Sequence, residues 1–199
     1  MKKILIGGLL LCTGLFSVNS AMAQQNLTIL NYSMGFGTGN TGDFISKYSW
    51  RGFGFDYRYL SQPHVGVGVN LGWNTFYQEM PKGTYAFETA SVTGYQFRYL
   101  NSFPITAVVD YYAKPDEMVN PYAGLGLGVE YNVATVDFGI YRFETDGWPF
   151  TINPEIGILV KPSNGPAFNV GIKYFYGFKT KDLEADSHLL FNVGFAFGE

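Results

Sequence analysis

Residues 64–77, HVGVGVNLGWNTFY, admit few folds. Val65, Val67, Val69, Leu71, Trp73, Thr75 and Tyr77 share one parity, and His64, Gly66, Gly68, Asn70, Gly72, Asn74 and Phe76 share the other. A period of two is the mark of a β-strand. A strand of a soluble sheet turns its apolar face to a core and sets large solvated groups on the other. Here the second face is mostly glycine and asparagine, small enough for a crowded closed interior. Apolar outside and small-polar inside is the alternation of a transmembrane β-barrel strand.

The pattern recurs along the chain. It predicts strands over residues 27–36, 49–59, 64–77, 88–112, 121–133, 150–160, 168–178 and 189–197, eight in all. In the fifth, Ala123, Leu125, Leu127, Val129 and Tyr131 alternate with Gly124, Gly126, Gly128, Glu130 and Asn132. The three inward glycines imply close packing inside. The fourth is longer than the 9–11 residues that cross a bilayer, so its Thr89, Ser91 and Thr93 end is expected to project beyond it. Pro104 lacks a ladder donor and is expected at a bulge or bend. The glycine-rich loop GTGNTGD after residue 36 reads as a flexible turn, because it lacks the lysine-serine or lysine-threonine end of a phosphate cradle. Residues 78–88 read as a polar loop and residues 134–147 as a long excursion of mixed character. The connections alternate long and short, as an up-and-down barrel with longer extracellular loops requires. The fold class expected is therefore all-β, an eight-stranded antiparallel up-and-down transmembrane β-barrel.

Composition agrees. Charged residues make up 15% of the chain, against about 25% in soluble domains, and aromatics make up 18%. Aromatic belts are expected around Tyr57, Tyr59, Tyr111, Tyr112 and Tyr122. Lys2 and Lys3, the apolar residues 4–16 and the small-x-small site Ala21-Met22-Ala23 form a signal peptide over residues 1–23, leaving residues 24–199 as the barrel domain. Cys12, the single cysteine, would leave with the signal, so the mature chain has no disulfide. Its removal takes two lysines and no acid, leaving eleven bases, sixteen acids and a net charge of −5. That balance argues against nucleic acid as a partner. The destination implied is the outer membrane of a Gram-negative bacterium, with membrane lipid and lipopolysaccharide as neighbours.

The run FPITAVVDYYAKPDEMVNPYAGLGLGVEY, with Pro104, Tyr111, Tyr112, Pro121, Tyr122, Gly124 and Gly126, resembles the outer membrane protein W family. In that family a proline-bearing strand ends in tyrosines and a Pro-Tyr-x-Gly-x-Gly strand returns after a short turn. Small barrels of the OmpX and OmpA transmembrane type share much of the pattern. The W resemblance implies a narrow porin-like apolar channel, a passive carrier of small hydrophobic molecules with lateral exit. The alternative is a closed structural or adhesive barrel acting through its extracellular loops. The terminal alternation of Phe191, Phe195 and Phe197 resembles the signal read by the outer-membrane assembly machinery, although Gly198 and Glu199 follow it.

Inward parity collects Asp56, Arg58, Arg98, Asp110, Glu130, Glu155 and Lys173, expected to form an ion-paired plug, since an unpaired buried charge is heavily penalised. Trp50, Phe76 and Val92 are candidates for an apolar pocket at the outer end, and Pro104 for a gap in the wall through which a hydrophobic ligand leaves. No histidine or cysteine cluster shows metal-ligand spacing, so no metal or cofactor is expected. Ser187 and His188 lie near Asp186 and Glu184, but neighbouring strand residues face opposite ways, so a hydrolytic pair is not expected and the chain reads as a non-enzyme. Asp43, Asp182, Glu184 and Asp186 read as acids that solvate loops.

Overall fold

Alternating side chains become nine strands and one short helix in a computed structural model that describes residues 25–87, 90–139, 141–162, 165–181 and 183–198. The signal peptide, Asp182, Thr89 and the side chain of Val92 lie outside that description. The elements are β1 (Gln25–Thr38), α1 (Gly39–Phe44), β2 (Gly52–Gln62), β3 (Val65–Phe87), β4 (Ala90–Tyr112), β5 (Val119–Phe138), β6 (Tyr141–Gly147), β7 (Phe150–Val160), β8 (Ala167–Gly177) and β9 (Asp186–Gly198). The sheet order is β4-β3-β2-β1-β9-β8-β7-β5, and β4 pairs with β5 to close the ring. Eight antiparallel strands thus form a barrel without an edge, in which wall peptides pair around the ring except where Pro104 and Pro154 cannot donate. Among the described residues no helix is long and apolar enough to cross a membrane.

Parity sets the two surfaces. Val67, Leu125 and Ile156 are exposed on the outer face, whereas Asn70, Glu130, Glu155 and Lys173 are buried inside. Aromatics ring the wall. Phe53 meets Trp73, Trp73 stacks on Phe103 at 6.2 Å, and Phe103 meets Tyr131, which stacks on Trp148 at 4.7 Å. Toward the short-turn end, His64 stacks on Tyr111 and Phe168 lies 5.3 Å from Phe195. From Phe103 to Tyr111 along β4 is about 26 Å at ~3.3 Å per residue, close to the apolar band of such barrels before tilt. The short turns share one rim with Gln25 and Gly198, the first and last described residues, the periplasmic rim in barrels of this kind.

Several expectations change. Residues 78–87 are strand, not loop: β3 pairs with β4 up to Phe87↔Ala90. The register shifts once, between Met80 and Gly83, where Pro81 cannot donate. Residues 134–147 form a second hairpin rather than an irregular excursion. The outer half of β5 pairs with β6 while its inner half pairs with β7, and Gly139 turns with φ 66°. The glycine-rich loop contains α1, closed by its own Ile45 N–H to Thr41 O bond at 2.8 Å and tied to β9 where Ser187 N–H donates to Thr41 Oγ1 at 3.0 Å. Pro104 makes no bulge. It sits opposite Glu130 in unbroken register with β5, and the register toward β3 is the same on both sides of it. Finally, β9 begins at Asp186, three residues before the predicted eighth strand, which brings Asp186 and His188 into the wall.

Candidate functional site

The lumen is layered. Its periplasmic floor is apolar: Leu27, Ile29, Tyr112, Tyr122, Leu159 and Ala196 pack together. Tyr112 and Tyr122 were expected in the aromatic belt. They are buried inside with ring centroids 5.5 Å apart, because they share the inward parity of Asp110 and Gly124. The room for Tyr122 comes from glycine, since a Cβ on Gly157 would lie 2.6 Å from its ring.

Above the floor lies a bonded charge layer. Arg58 Nε donates to Asp110 and Arg58 Nη2 to Glu155 Oε1 at 2.9 Å. The Lys173 ammonium donates to both oxygens of Asp56, at 2.7 and 2.8 Å, and lies 3.3 Å from Glu155 Oε2. Neutral groups complete the layer. Asn70 donates to Glu155 at 3.0 Å and Asn31 to Asp56 at 2.7 Å. Asn169 donates to Asn31, and Tyr122 donates to Asn169. These residues come from seven of the eight ring strands, so the layer crosses the lumen from wall to wall. A cavity of about 20 Å³ beside Asp56, Asn70, Pro104 and Lys173 has room for about one water. At Pro104 the pairing with β3 skips Gly72 and Trp73, and the proline ring lies over Gly72.

Two predicted members of the plug are elsewhere. Arg98 is half-buried near the outer rim, donating to Phe44 O and Gln96 Oε1 and lying over the Phe44 ring. Among the described residues it forms no ion pair. Glu130 belongs to an upper cluster with Asp186 and His188. Ser102 donates to Glu130, His188 Nδ1 lies 3.8 Å from Glu130 Oε1, and Asn132 donates to Asp186 Oδ2 at 2.9 Å. Glu130 and His188 are fully buried and Asp186 is half-buried, so Asp186 is not the loop-solvating acid expected. His188 is sandwiched between Phe175, stacked at 5.0 Å, and Phe76 at 5.4 Å. No Lys or Arg among the described residues pairs with either carboxylate.

The expected apolar pocket is not assembled. Phe76 is buried in a cluster with Ile45, Leu100, Phe175 and Leu190. Trp50 is instead exposed on the outside against Tyr48. It lies outside regular strand, beyond the isolated Gly35–Ser49 bridge, so strand parity does not govern it. Ile45 and α1 cover the outer mouth. Ser187 is engaged with Thr38, accepting from its hydroxyl and donating to its carbonyl oxygen, so it shares no proton with His188. Phe191 is half-buried, and Phe195 and Phe197 are exposed, all on the outer wall of β9. Sequence parity could have located the tyrosine floor. It could not have found the upper cluster, whose β9 members Asp186 and His188 stand 56 and 58 residues from Glu130 on β5.

A family model described as the outer membrane protein beta-barrel domain matches residues 8–197. No curated protein is a significant sequence match. Among solved structures, Ail, the attachment invasion locus protein of Yersinia pestis, is 15% identical over 88% of this chain and 100% of its own, with a TM-score of 0.52. Neisserial surface protein A is 15% identical over 89% of this chain and 98% of its own, with a TM-score of 0.52. At such identities the likeness is one of fold.

Proposed function

This chain belongs to the outer membrane protein beta-barrel domain family, and on that premise we propose that it acts in the Gram-negative outer membrane as a closed, non-enzymatic barrel whose projecting hairpins do the work. The bonded charge layer carries this reading. Arg58, Lys173, Asp56, Asp110 and Glu155 hold one another across the lumen, with Asp110 Oδ1 and Asn70 Oδ1 left unpartnered, and a network ion-paired from wall to wall resists opening. The apolar floor beneath it and α1 above it reinforce the block.

The W-type carrier is the finer alternative. It needs a continuous apolar path or a lateral gap; the charge layer weighs against the first, and the Pro104 ring over Gly72 and the unbroken pairing of β4 with β5 weigh against the second. Surface contact suits the two hairpins, β3–β4 and β5–β6, which place Tyr95 and Tyr141 in the open. Ail, of the same fold, is named for attachment and forms a complex with the heparin analogue sucrose octasulfate; contact of that general kind is the role assigned to the hairpins here. The outer wall contacts lipid and lipopolysaccharide, and Phe191, Phe195 and Phe197 serve recognition by the assembly machinery.

Two measurements test the reading. Planar bilayers with the refolded protein should show no steady conductance, and liposomes should take up a hydrophobic tracer no faster with it than without. Protein-dependent uptake would return the carrier to first place. In intact cells, a membrane-impermeant maleimide should label Thr84→Cys on the outer hairpin and spare Met118→Cys in a periplasmic turn. Equal labelling would contradict the display of the hairpins.

A further inference from the structure

The two charged regions of the lumen differ in one chemical respect: the lower has its cations and the upper has none among the described residues. Glu130, Asp186 and His188 each offer a ligand atom, and these atoms lie within 4.8 Å of one another. They converge from strands that are not ring neighbours, since β7 and β8 stand between β5 and β9. Gly128, Thr151, Gly177 and Asp186 form one cross-strand row. The missing side chain at Gly177 leaves space for the Asp186 carboxylate, which a Cβ there would strike. Glu130 stands two residues beyond Gly128 on the same inward face.

An independent observation points to a ligand. His188 is fully buried and neither ring nitrogen has a hydrogen-bond partner; Asp186 Oδ1 and Asn132 Oδ1 are also unpartnered. A buried imidazole between two phenyl rings, facing two carboxylates with no cation, leaves polar atoms unsatisfied at considerable cost. A divalent ion would supply what is missing.

We propose that Glu130, Asp186 and His188 form a binding site for one divalent first-row transition-metal ion of the zinc type. One imidazole nitrogen and two carboxylate oxygens suit such an ion, whereas magnesium and calcium prefer oxygen alone. The neutral ring and two carboxylates together carry the charge that a divalent ion cancels. Donors about 2.0–2.1 Å from a tetrahedral ion sit roughly 3.3 Å apart, so ligand atoms up to 4.8 Å apart must close by up to about 1.5 Å through side-chain rotation. Asn132 already holds Asp186 Oδ2 and leaves Oδ1 free, the arrangement by which a neighbouring amide orients a metal ligand. Asp186 is only half-buried, and an ion would reach the site from the side of that carboxylate. The site does not depend on whether the barrel is closed to solutes.

The test is calorimetric titration of the untagged mature protein, refolded in detergent, with zinc chloride and, in parallel, magnesium and calcium chloride. Zinc should bind once per chain and in clear preference to the other two. His188→Gln, Glu130→Gln and Asp186→Asn should each weaken binding by about tenfold or more, and His64→Gln, at the other histidine, should leave it unchanged. Boiled and unboiled gel mobility shows which variants are folded. The near-isosteric carboxylate variants keep the test decisive if His188→Gln does not fold. Absence of saturable zinc binding, binding insensitive to both carboxylate variants, or equal binding of magnesium would overturn the proposal.

Discussion

The two charged regions of the lumen make an instructive pair. In the lower layer, Arg58 and Lys173 serve Asp56, Asp110 and Glu155, and asparagines donate to Asp56 and Glu155, leaving Asp110 Oδ1 unpartnered. In the upper cluster, Glu130 and Asp186 face each other across a histidine whose nitrogens are unpartnered. Both regions are buried polar clusters on inward parity. The first behaves as a structural brace, because each buried charge there has its counterion. The second is a set of donors awaiting one, and it lies nearer the mouth. Burial alone therefore does not distinguish a brace from a site; the cation does.

The largest expected effect breaks the brace. Arg58→Met leaves Asp110 and Glu155 facing one another and should cost about 3–5 kcal/mol of barrel stability, read from denaturant-dependent loss of the heat-modifiable gel band. A cost near zero would mean that the lower layer is not held by its ion pairs.

Gly157→Ala comes next. Its Cβ would push into Tyr122, which is locked between the floor and Asn169, and overpacking of this kind costs about 1–3 kcal/mol. Fluorescence-monitored unfolding should show the loss, and the double variant with Tyr122→Phe should not recover it, since the clash involves the ring itself.

The upper cluster should respond in the opposite way when metal is removed by chelation. Glu130→Gln deletes a charge that has no Lys or Arg partner among the described residues, so stability should change by less than about 1 kcal/mol, or rise. A loss as large as that of Arg58→Met would place the two regions in the same class.

The smallest effect lies outside the membrane, on the β5–β6 hairpin. Two hydrogen bonds from Arg142, at 2.7 and 3.0 Å, hold the Asp137 carboxyl below its ordinary value of 3.8. A carboxyl whose value is depressed in the folded state adds stability that is present above its unfolded value and lost as pH falls through the folded one. The pair is largely open to solvent and its contribution is small. Protection factors of the hairpin amides, taken relative to the intrinsic exchange rate at each pH, should fall below about pH 4, with those of ring amides unaffected. Arg142→Gln should remove that pH dependence.

Much of this was legible in the chain. The eight ring strands, their faces and the inward charges follow from alternation, as Leu125 against Glu130 and Ile156 against Glu155 illustrate. The longer hairpins were not, because Pro81 and the mixed residues 134–147 interrupt the pattern locally while pairing across the hairpin restores the strand. Trp50 was misplaced because parity holds only inside a continuous strand. Tyr112 and Tyr122 carried the right parity, but tyrosine at a strand end suits a belt as well as a floor.

Alternation by itself determined which face each side chain takes, and closure of eight such strands follows from the need to pair every peptide in hydrocarbon. It did not determine height. A period of two says that Arg58, Glu130 and Asp186 point inward but not which stand level with one another, because that depends on strand tilt and on the stagger of eight ladders around the ring. Only the closed barrel decided that Arg58 reaches Asp110 and Glu155, while Glu130 and Asp186, one storey higher, meet across His188 with no lysine or arginine among the described residues paired to them.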